Sequence, residues 1–242
     1  TTSTGNVGFT EFVDSTGTVK LIMLDGTKGY VFTSPTVAPA EITDVDFPTP
    51  HIAMPVFLDG YLFVAKANTQ DVYNSNLNDP TLWTAGDFIS AEMYPDKIVA
   101  LTRNNNYIYA IGSSSVEFLY DAANATASPL ARHDSAVQQF GAAAPFSVVS
   151  TDKEVVFVGE TGNGGHTVWT IDGFKENPAP WNEQTMGSMS EVRQSILDRL
   201  NESIEKKQSL KIGYRRLIAT AACIALVSAS VLLGLQYKDS LL

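Results

Sequence analysis

Apolar residues fall in short alternating runs from Thr18 to Ile171, each bounded by glycine, asparagine, aspartate or serine. That pattern is the mark of strands joined by tight turns. The stretch from Asn76 to Tyr120 organises the rest. In it Lys97-Ile98-Val99-Ala100-Leu101, Tyr107-Ile108-Tyr109-Ala110-Ile111 and Val116-Glu117-Phe118-Leu119-Tyr120 are separated by Asn104-Asn105-Asn106 and Gly112-Ser113-Ser114-Ser115. Linkers this short make consecutive strands antiparallel neighbours, so the three runs predict a meander. Just before them, Asp79-Pro80 predicts one helical turn closed by Trp83, because aspartate caps orphan N–H groups and proline suits the first helical position.

The same grammar repeats on either side. Thr18 to Thr33 reads as a hairpin about Asp25-Gly26, Pro55 to Lys66 as another about Asp59-Gly60, and Pro145 to Val158 as a third about Thr151-Asp152-Lys153. Gly162-Asn163-Gly164-Gly165 marks a turn leading into His166 to Ile171. Pro35, Pro39, Pro48 and Pro50 exclude a helix or central strand from residues 34–50. Taking Tyr30, Tyr61, Tyr107 and Val155 as centres of the second hairpin strands, the spacings are 31, 46 and 48. Two of these match the period of about 40–50 residues of four-stranded propeller blades. The fold class is therefore mainly β, built of antiparallel meanders, partly propeller-like, with a β-sandwich as the alternative. About three such units are too few to close a ring.

The texture changes at Pro178-Ala179-Pro180-Trp181. Val192, Ile196, Leu197, Leu200 and Ile204 recur at helical spacing behind a Ser190 cap, and Leu217 to Leu235 is 19 residues without a charge. At about 1.5 Å rise per residue the latter run is long enough to cross a bilayer. Lys206, Lys207, Lys211, Arg215 and Arg216 flank it on one side, which would keep the preceding chain cytoplasmic. A helix buried in an oligomer is the alternative. The expected organisation is an acidic β-rich body over residues 1–180, a linker and amphipathic helix over 181–216, an apolar helix over 217–235, and a short tail over 236–242. Met186-Gly187-Ser188-Met189 reads like the opening of a separate polypeptide. The first residues lack an initiator methionine, which suggests a processed end or an internal start.

Charge sharpens the division. The chain carries a net −10, but residues 1–180 hold 8 Lys/Arg against 20 Asp/Glu, a net of −12, and residues 181–242 hold 8 against 6. An acidic body repels phosphate, so gripping nucleic acid through a basic surface is excluded for it. One cysteine excludes a disulfide framework and a cysteine-built zinc site. His51, His133 and His166 are far apart with no metal-binding spacing. His133-Asp134-Ser135 has the letters of a hydrolase triad, but adjacent side chains diverge and cannot relay a proton. Asp87, Glu92 and Asp96 could pair as glycosidase carboxylates if folded to within roughly 5–10 Å, although a solvated acidic loop is the commoner outcome. Trp83, Trp169, Tyr107 and Tyr109 are expected to pack sheets or subunits together. No catalytic residue, cofactor or metal is assigned, and the chain reads as a non-enzyme.

A set of motifs in one order carries a family resemblance: Asp59-Gly60-Tyr61-Leu62-Phe63, Leu77-Asn78-Asp79-Pro80-Thr81-Leu82-Trp83, Asp87-Phe88-Ile89-Ser90-Ala91-Glu92, Asp96-Lys97-Ile98-Val99-Ala100-Leu101, Ser115-Val116-Glu117-Phe118-Leu119-Tyr120, Gly141-Ala142-Ala143-Ala144-Pro145-Phe146-Ser147-Val148 and Val168-Trp169-Thr170-Ile171-Asp172-Gly173-Phe174. Over residues 55–174 the chain resembles the packaged-DNA stabilisation, or tail-hub, proteins of short-tailed bacteriophages. The resemblance implies a virion tail protein that forms a homo-oligomeric ring of six copies below the portal and closes and lines the DNA exit channel. Its implied partners are the portal or adaptor, the tail needle or tail spikes, and DNA passing through without sequence-specific binding. Asp87, Glu92 and Asp96 are then channel-lining candidates whose charge keeps DNA from sticking. Family members continue as β-structure beyond a segment like Asp172-Gly173-Phe174, where this chain turns basic and helical. The competing reading is a β-domain that binds a partner at a membrane, anchored through 217–235, and a carbohydrate-active propeller enzyme comes third.

Overall fold

The computed structural model describes residues 5–160 and 166–178. They belong to a compact unit spanning Thr1–Trp181, and residues 182–242 form a second unit. The expected turn at 162–165, the helix at 190–204, the apolar span 217–235 and Trp181 lie outside the described residues. Among the described residues no helix is long and apolar enough to cross a membrane.

Four four-stranded antiparallel sheets follow one another along the chain. The first holds β1 (Gly8–Val13), β2 (Val19–Leu24), β3 (Gly29–Phe32) and β4 (Ala40–Glu41), and the second β5 (Val56–Leu58), β6 (Tyr61–Ala65), β7 (Asp71–Asn76) and β8 (Asp79–Ser90). The third holds β9 (Ile98–Asn104), β10 (Tyr107–Gly112), β11 (Val116–Asp121) and β12 (Leu130–Arg132). A 3-10 turn at Pro145–Ser147 precedes the fourth, which holds β13 (Val149–Ser150), β14 (Glu154–Glu160), β15 (His166–Asp172) and β16 (Lys175–Pro178). Each sheet is a plain meander in sequence order. The first strands of successive sheets lie against one another, β1 on β5, β5 on β9 and β9 on β13.

The hairpins form where the sequence places them. Asp59 and Gly60 both take positive φ, 48° and 86°, as a two-residue turn matched to strand twist requires. At Asp25 the carboxylate accepts the N–H groups of Thr27 and Lys28. Against the burial of its side chain, those bonds hold the Asp25 carboxyl below its ordinary range.

Asp79-Pro80 does not start a helical turn; it opens strand β8. Asn78 with φ 63° makes the preceding bend, so chain reversal is complete before the capping pattern could act. Asp79 Oδ1 accepts from the N–H and hydroxyl of Thr81 within the strand instead. Trp83 Nε1 still donates to the Pro80 carbonyl, a local contact that a strand bulge supplies as well as a helix. The bulge is real: Trp83 pairs with Ser75 and Phe88 with Tyr73, so β8 carries several extra residues between them.

Three hydrophobic clusters fill the three seams between successive sheets. Phe12, Ile22, Leu24 and Val31 meet Leu62, Val64 and Trp83. Val56, Leu58, Phe63 and Val72 meet Ile98, Leu101, Ile108 and Leu119. Ala100, Tyr109, Ile111 and Phe118 meet Val155, Phe157 and Ile171. Strands β6 and β10 thus send alternate residues into different seams, Leu62 and Val64 one way and Phe63 and Ala65 the other. Burial on both faces explains why their sequences are almost continuously apolar.

Candidate assembly surfaces

Among the described residues, each end sheet borders a single hydrophobic seam. On β1, β2 and β3 the residues that alternate with the core are Phe9, Glu11 and Val13, then Val19, Leu21 and Met23, then Tyr30 and Phe32. Their register sets Phe9 opposite Met23, Val13 opposite Val19, and Leu21 opposite Phe32, so they share one face. Phe9 is 57% exposed, Val19 55% and Leu21 40%, and the other apolar ones are half-buried. At the far end, Val149 is 56% exposed and is paired with Val156; Val158, Val168 and Thr170 continue that outer face, half-buried. Apart from Glu11 opposite Leu21, and the Glu154–Asp172 and Glu160–His166 pairs that end the far face, these are apolar sheet surfaces of the kind that a further sheet covers.

The acidic candidates separate. Asp96 Oδ2 accepts the N–H and hydroxyl of Ser114 and the N–H of Ser115, and Oδ1 accepts the Ser115 hydroxyl at 2.7 Å. Its carboxylate builds the β10–β11 turn. Glu92 pairs with Arg132 at 2.9 Å and is largely exposed. Asp87, half-buried on outer strand β8, is felt by Tyr61, whose hydroxyl burial holds above its usual range with help from Asp121 and Asp87. The three carboxylates thus have three different sets of partners.

The aromatic candidates divide too. Trp83 is 5% exposed and meets Phe47 edge-on at 5.1 Å, and Tyr109 is 1% exposed with its hydroxyl donating to the Gly173 carbonyl. Burial first, then Asp172 and Tyr107, pushes the Tyr109 hydroxyl up to about 12. Both rings pack sheets within the chain. Trp169 stacks on Phe140 at 4.0 Å in the seam between the third and fourth sheets. Tyr107 borders an open cleft, with Tyr120 and His133.

His51 is buried with Nδ1 on the Pro48 carbonyl, and burial holds its imidazole below the ordinary value. His166 is exposed at the start of β15. Ser135 Oγ lies 3.3 Å from His133 Nδ1, but Asp134 turns to Arg132, so no carboxylate orients the imidazole. Among the described residues no three metal-ligating side chains gather.

Two polar residues that periodicity hides carry much of the tertiary wiring. Glu117 on β11 is 2% exposed, and its Oε1 accepts the N–H groups of Met93 and Tyr94. Burial raises its carboxyl above the usual carboxylate range. Arg103 on β9 donates to the Phe57 and Asn105 carbonyls and borders a cleft of 430 Å³ between β1, β5 and β9. A charge inside an apolar strand run was the available signal for Glu117; Arg103 gave none.

A family model described as Bacteriophage P22 Gp10, beta-propeller, matches residues 2–180. The chain belongs to the phage stabilisation family. The match to this phage stabilisation model runs wider than the 55–174 that the motifs cover, and leaves 181–242 outside it. No curated protein sequence matches the phage stabilisation chain. It is similar to a solved structure titled AfRom2 CNH domain, at 13% identity and a TM-score of 0.39, over 63% of this chain and 47% of that one.

Proposed function

We propose that this protein is a structural component of a phage tail hub, in which copies associate side by side as a ring around the path of the DNA below the portal. The observation that carries this is the pair of uncovered apolar faces at the two ends of the sheet series. Each resembles one half of an internal seam, and the two halves belong to opposite ends. A contact between the first sheet of one copy and the fourth sheet of the next is therefore heterologous, the type that generates rings when the rotation closes.

Within each copy, the sequential meanders and the contacts among β1, β5, β9 and β13 support an open propeller with those strands innermost. A sandwich would set two sheets face to face, whereas here both inner sheets pack on both sides. The acidity of residues 1–180 suits a body that DNA passes without adhering, since repulsion of phosphate extends over about 8–10 Å at ordinary salt. Exposed carboxylates such as Glu92 supply that field, with no one cluster responsible. Portal or adaptor and needle or spike proteins are the partners this reading expects, and the virion is its place.

Light scattering on the full chain, with electron microscopy of the same sample, tests the reading. Assembly of several copies around an opening is the expected result. A strictly monomeric chain at concentrations of tens of micromolar, on the order expected for weak self-association, overturns it.

A further inference from the structure

Tyr107 and Tyr120 stand directly opposite each other across β10 and β11. Just past β12 the backbone N–H of His133 donates to the Phe118 carbonyl, which holds a third ring beside them. The three ring centroids are 6.4 Å apart for Tyr107 and Tyr120, 6.2 Å for Tyr107 and His133, and 6.5 Å for Tyr120 and His133. Their planes meet at 62°, 68° and 72°. Near-equal separations and near-equal inclinations make a three-walled corner with no two walls stacked. Phe174 backs it, 4.8 Å from Tyr107 and 4.5 Å from His133. A cleft of 430 Å³ opens on the corner, lined also by Arg132, Asp134 and Ser135.

Charge at the rim favours one sign of ligand. The guanidinium of Arg132 lies 2.9 Å from Glu92 and 3.7 Å from Asp134, and it also donates to the Ser90 carbonyl. One cation faces two carboxylates, both more than half exposed, so the rim is negative overall. Aromatic faces add to that sign, because the ring quadrupole presents negative potential. A cation seated above the triangle of centroids falls within about 6 Å of the Tyr107 and Tyr120 rings, the range over which cation–π attraction acts, with the His133 ring as the third wall. An anion would meet repulsion from the rim and the rings. A sugar would need free hydrogen-bonding groups beside one flat face, and Arg132 is already engaged.

We propose that this cleft binds an organic monocation, an alkylammonium or guanidinium group, either as a free small molecule or as the side chain of a lysine or arginine. Nothing in the family assignment is needed for it.

Isothermal titration of the full chain tests it, using choline, its neutral isostere 3,3-dimethylbutan-1-ol, and N-acetylarginine amide. The expected result is saturable binding of choline or the arginine amide, with the isostere silent at equal concentration. Tighter choline binding identifies a small-molecule source, and tighter arginine binding identifies a protein side chain. Tyr120→Leu should weaken the cation by about fivefold, the loss of one ring of three. Tyr120 is 37% exposed, so the fold should tolerate the change, and Asp134→Asn on the open rim weakens binding without touching the core. Equal binding of the neutral isostere, or no saturable binding of either cation, overturns the proposal.

Discussion

At the scale of single residues, two carboxylates in one corner of the third sheet do opposite things to stability. Asp96 accepts four hydrogen bonds from Ser114 and Ser115, two from backbone and two from hydroxyls. Hydrogen bonds to a charged group contribute about 1.5–3 kcal/mol each in favourable cases, and losing a shared acceptor orphans several donors at once. Asp96→Ala should lower unfolding stability by about 2–3 kcal/mol in urea titration. Glu117 is the reverse. Its carboxyl is raised by burial, despite the Met93 and Tyr94 N–H groups, and Oε2 has no hydrogen-bond partner among the described residues. A carboxyl whose folded pKa exceeds its unfolded one makes the folded state bind the extra proton. Stability from this group is thus greatest at low pH and declines as pH rises from the ordinary carboxylate value through the raised folded one. Glu117→Gln should flatten the decline in melting temperature over that window, and an unchanged profile would count against the assignment.

At the scale of elements, close backbone approach sets where the sheets join. A Cβ on Gly141 would meet the Gly112 carbonyl and the Ser113–Ser114 backbone, and one on Gly159 would meet the Gly141 carbonyl and the Trp169 ring. The connection between the third and fourth sheets therefore lies backbone on backbone. Gly86, on the bulged part of β8, has open space around it. Gly141→Ala should cost about 3 kcal/mol or more by forcing the connection apart, while Gly86→Ala stays within about 0.5 kcal/mol; chemical denaturation of both variants checks the contrast.

The elements also show what was legible beforehand. Hairpins about Asp25-Gly26 and Asp59-Gly60 and the β9–β11 meander followed from turn residues and apolar runs. Strand β7, Asp-Val-Tyr-Asn-Ser-Asn, did not, because Asn74 and Ser75 are buried yet polar and hide the period. Ser75 Oγ accepts the Leu62 N–H, so its hydroxyl substitutes for part of the sheet ladder. The odd spacing of 31 has a simple origin. Tyr30 sits on the third strand of its sheet, whereas Tyr61, Tyr107 and Val155 sit on second strands. Counting from Leu21 on β2 makes the interval 40. Strand β1 carries no turn dipeptide or long apolar run to mark it, since Thr10 and Glu11 interrupt its apolar residues. Of the candidate residues, their types were readable but their partners were not: Asp96 looked like surface charge until the serines of a turn closed on it.

At the scale of the whole molecule, the proposed assembly makes the difference between inner and end sheets decide how copies would meet. Leu21 lies on one end face and Val149 on the other, both well exposed. In a heterologous contact, Leu21→Lys and Val149→Lys each destroy one half of the joint. Either variant alone should fail to assemble, while an equal mixture should form pairs through the one intact combination and stop there. Analytical ultracentrifugation of the two variants and their mixture distinguishes this from a symmetric contact, in which mixing rescues nothing. Gain of solubility in both variants is the accompanying expectation, since each removes apolar surface from water.

Each sheet is one unbroken stretch of chain, and no strand is exchanged between the first and the fourth. Pulled from its two ends, such a protein has no latch to break before all the rest; it should come apart sheet by sheet, with steps of similar length in a force trace. If copies do assemble through the open ends, as proposed, mechanical endurance would then have to come from the neighbours pressed against them.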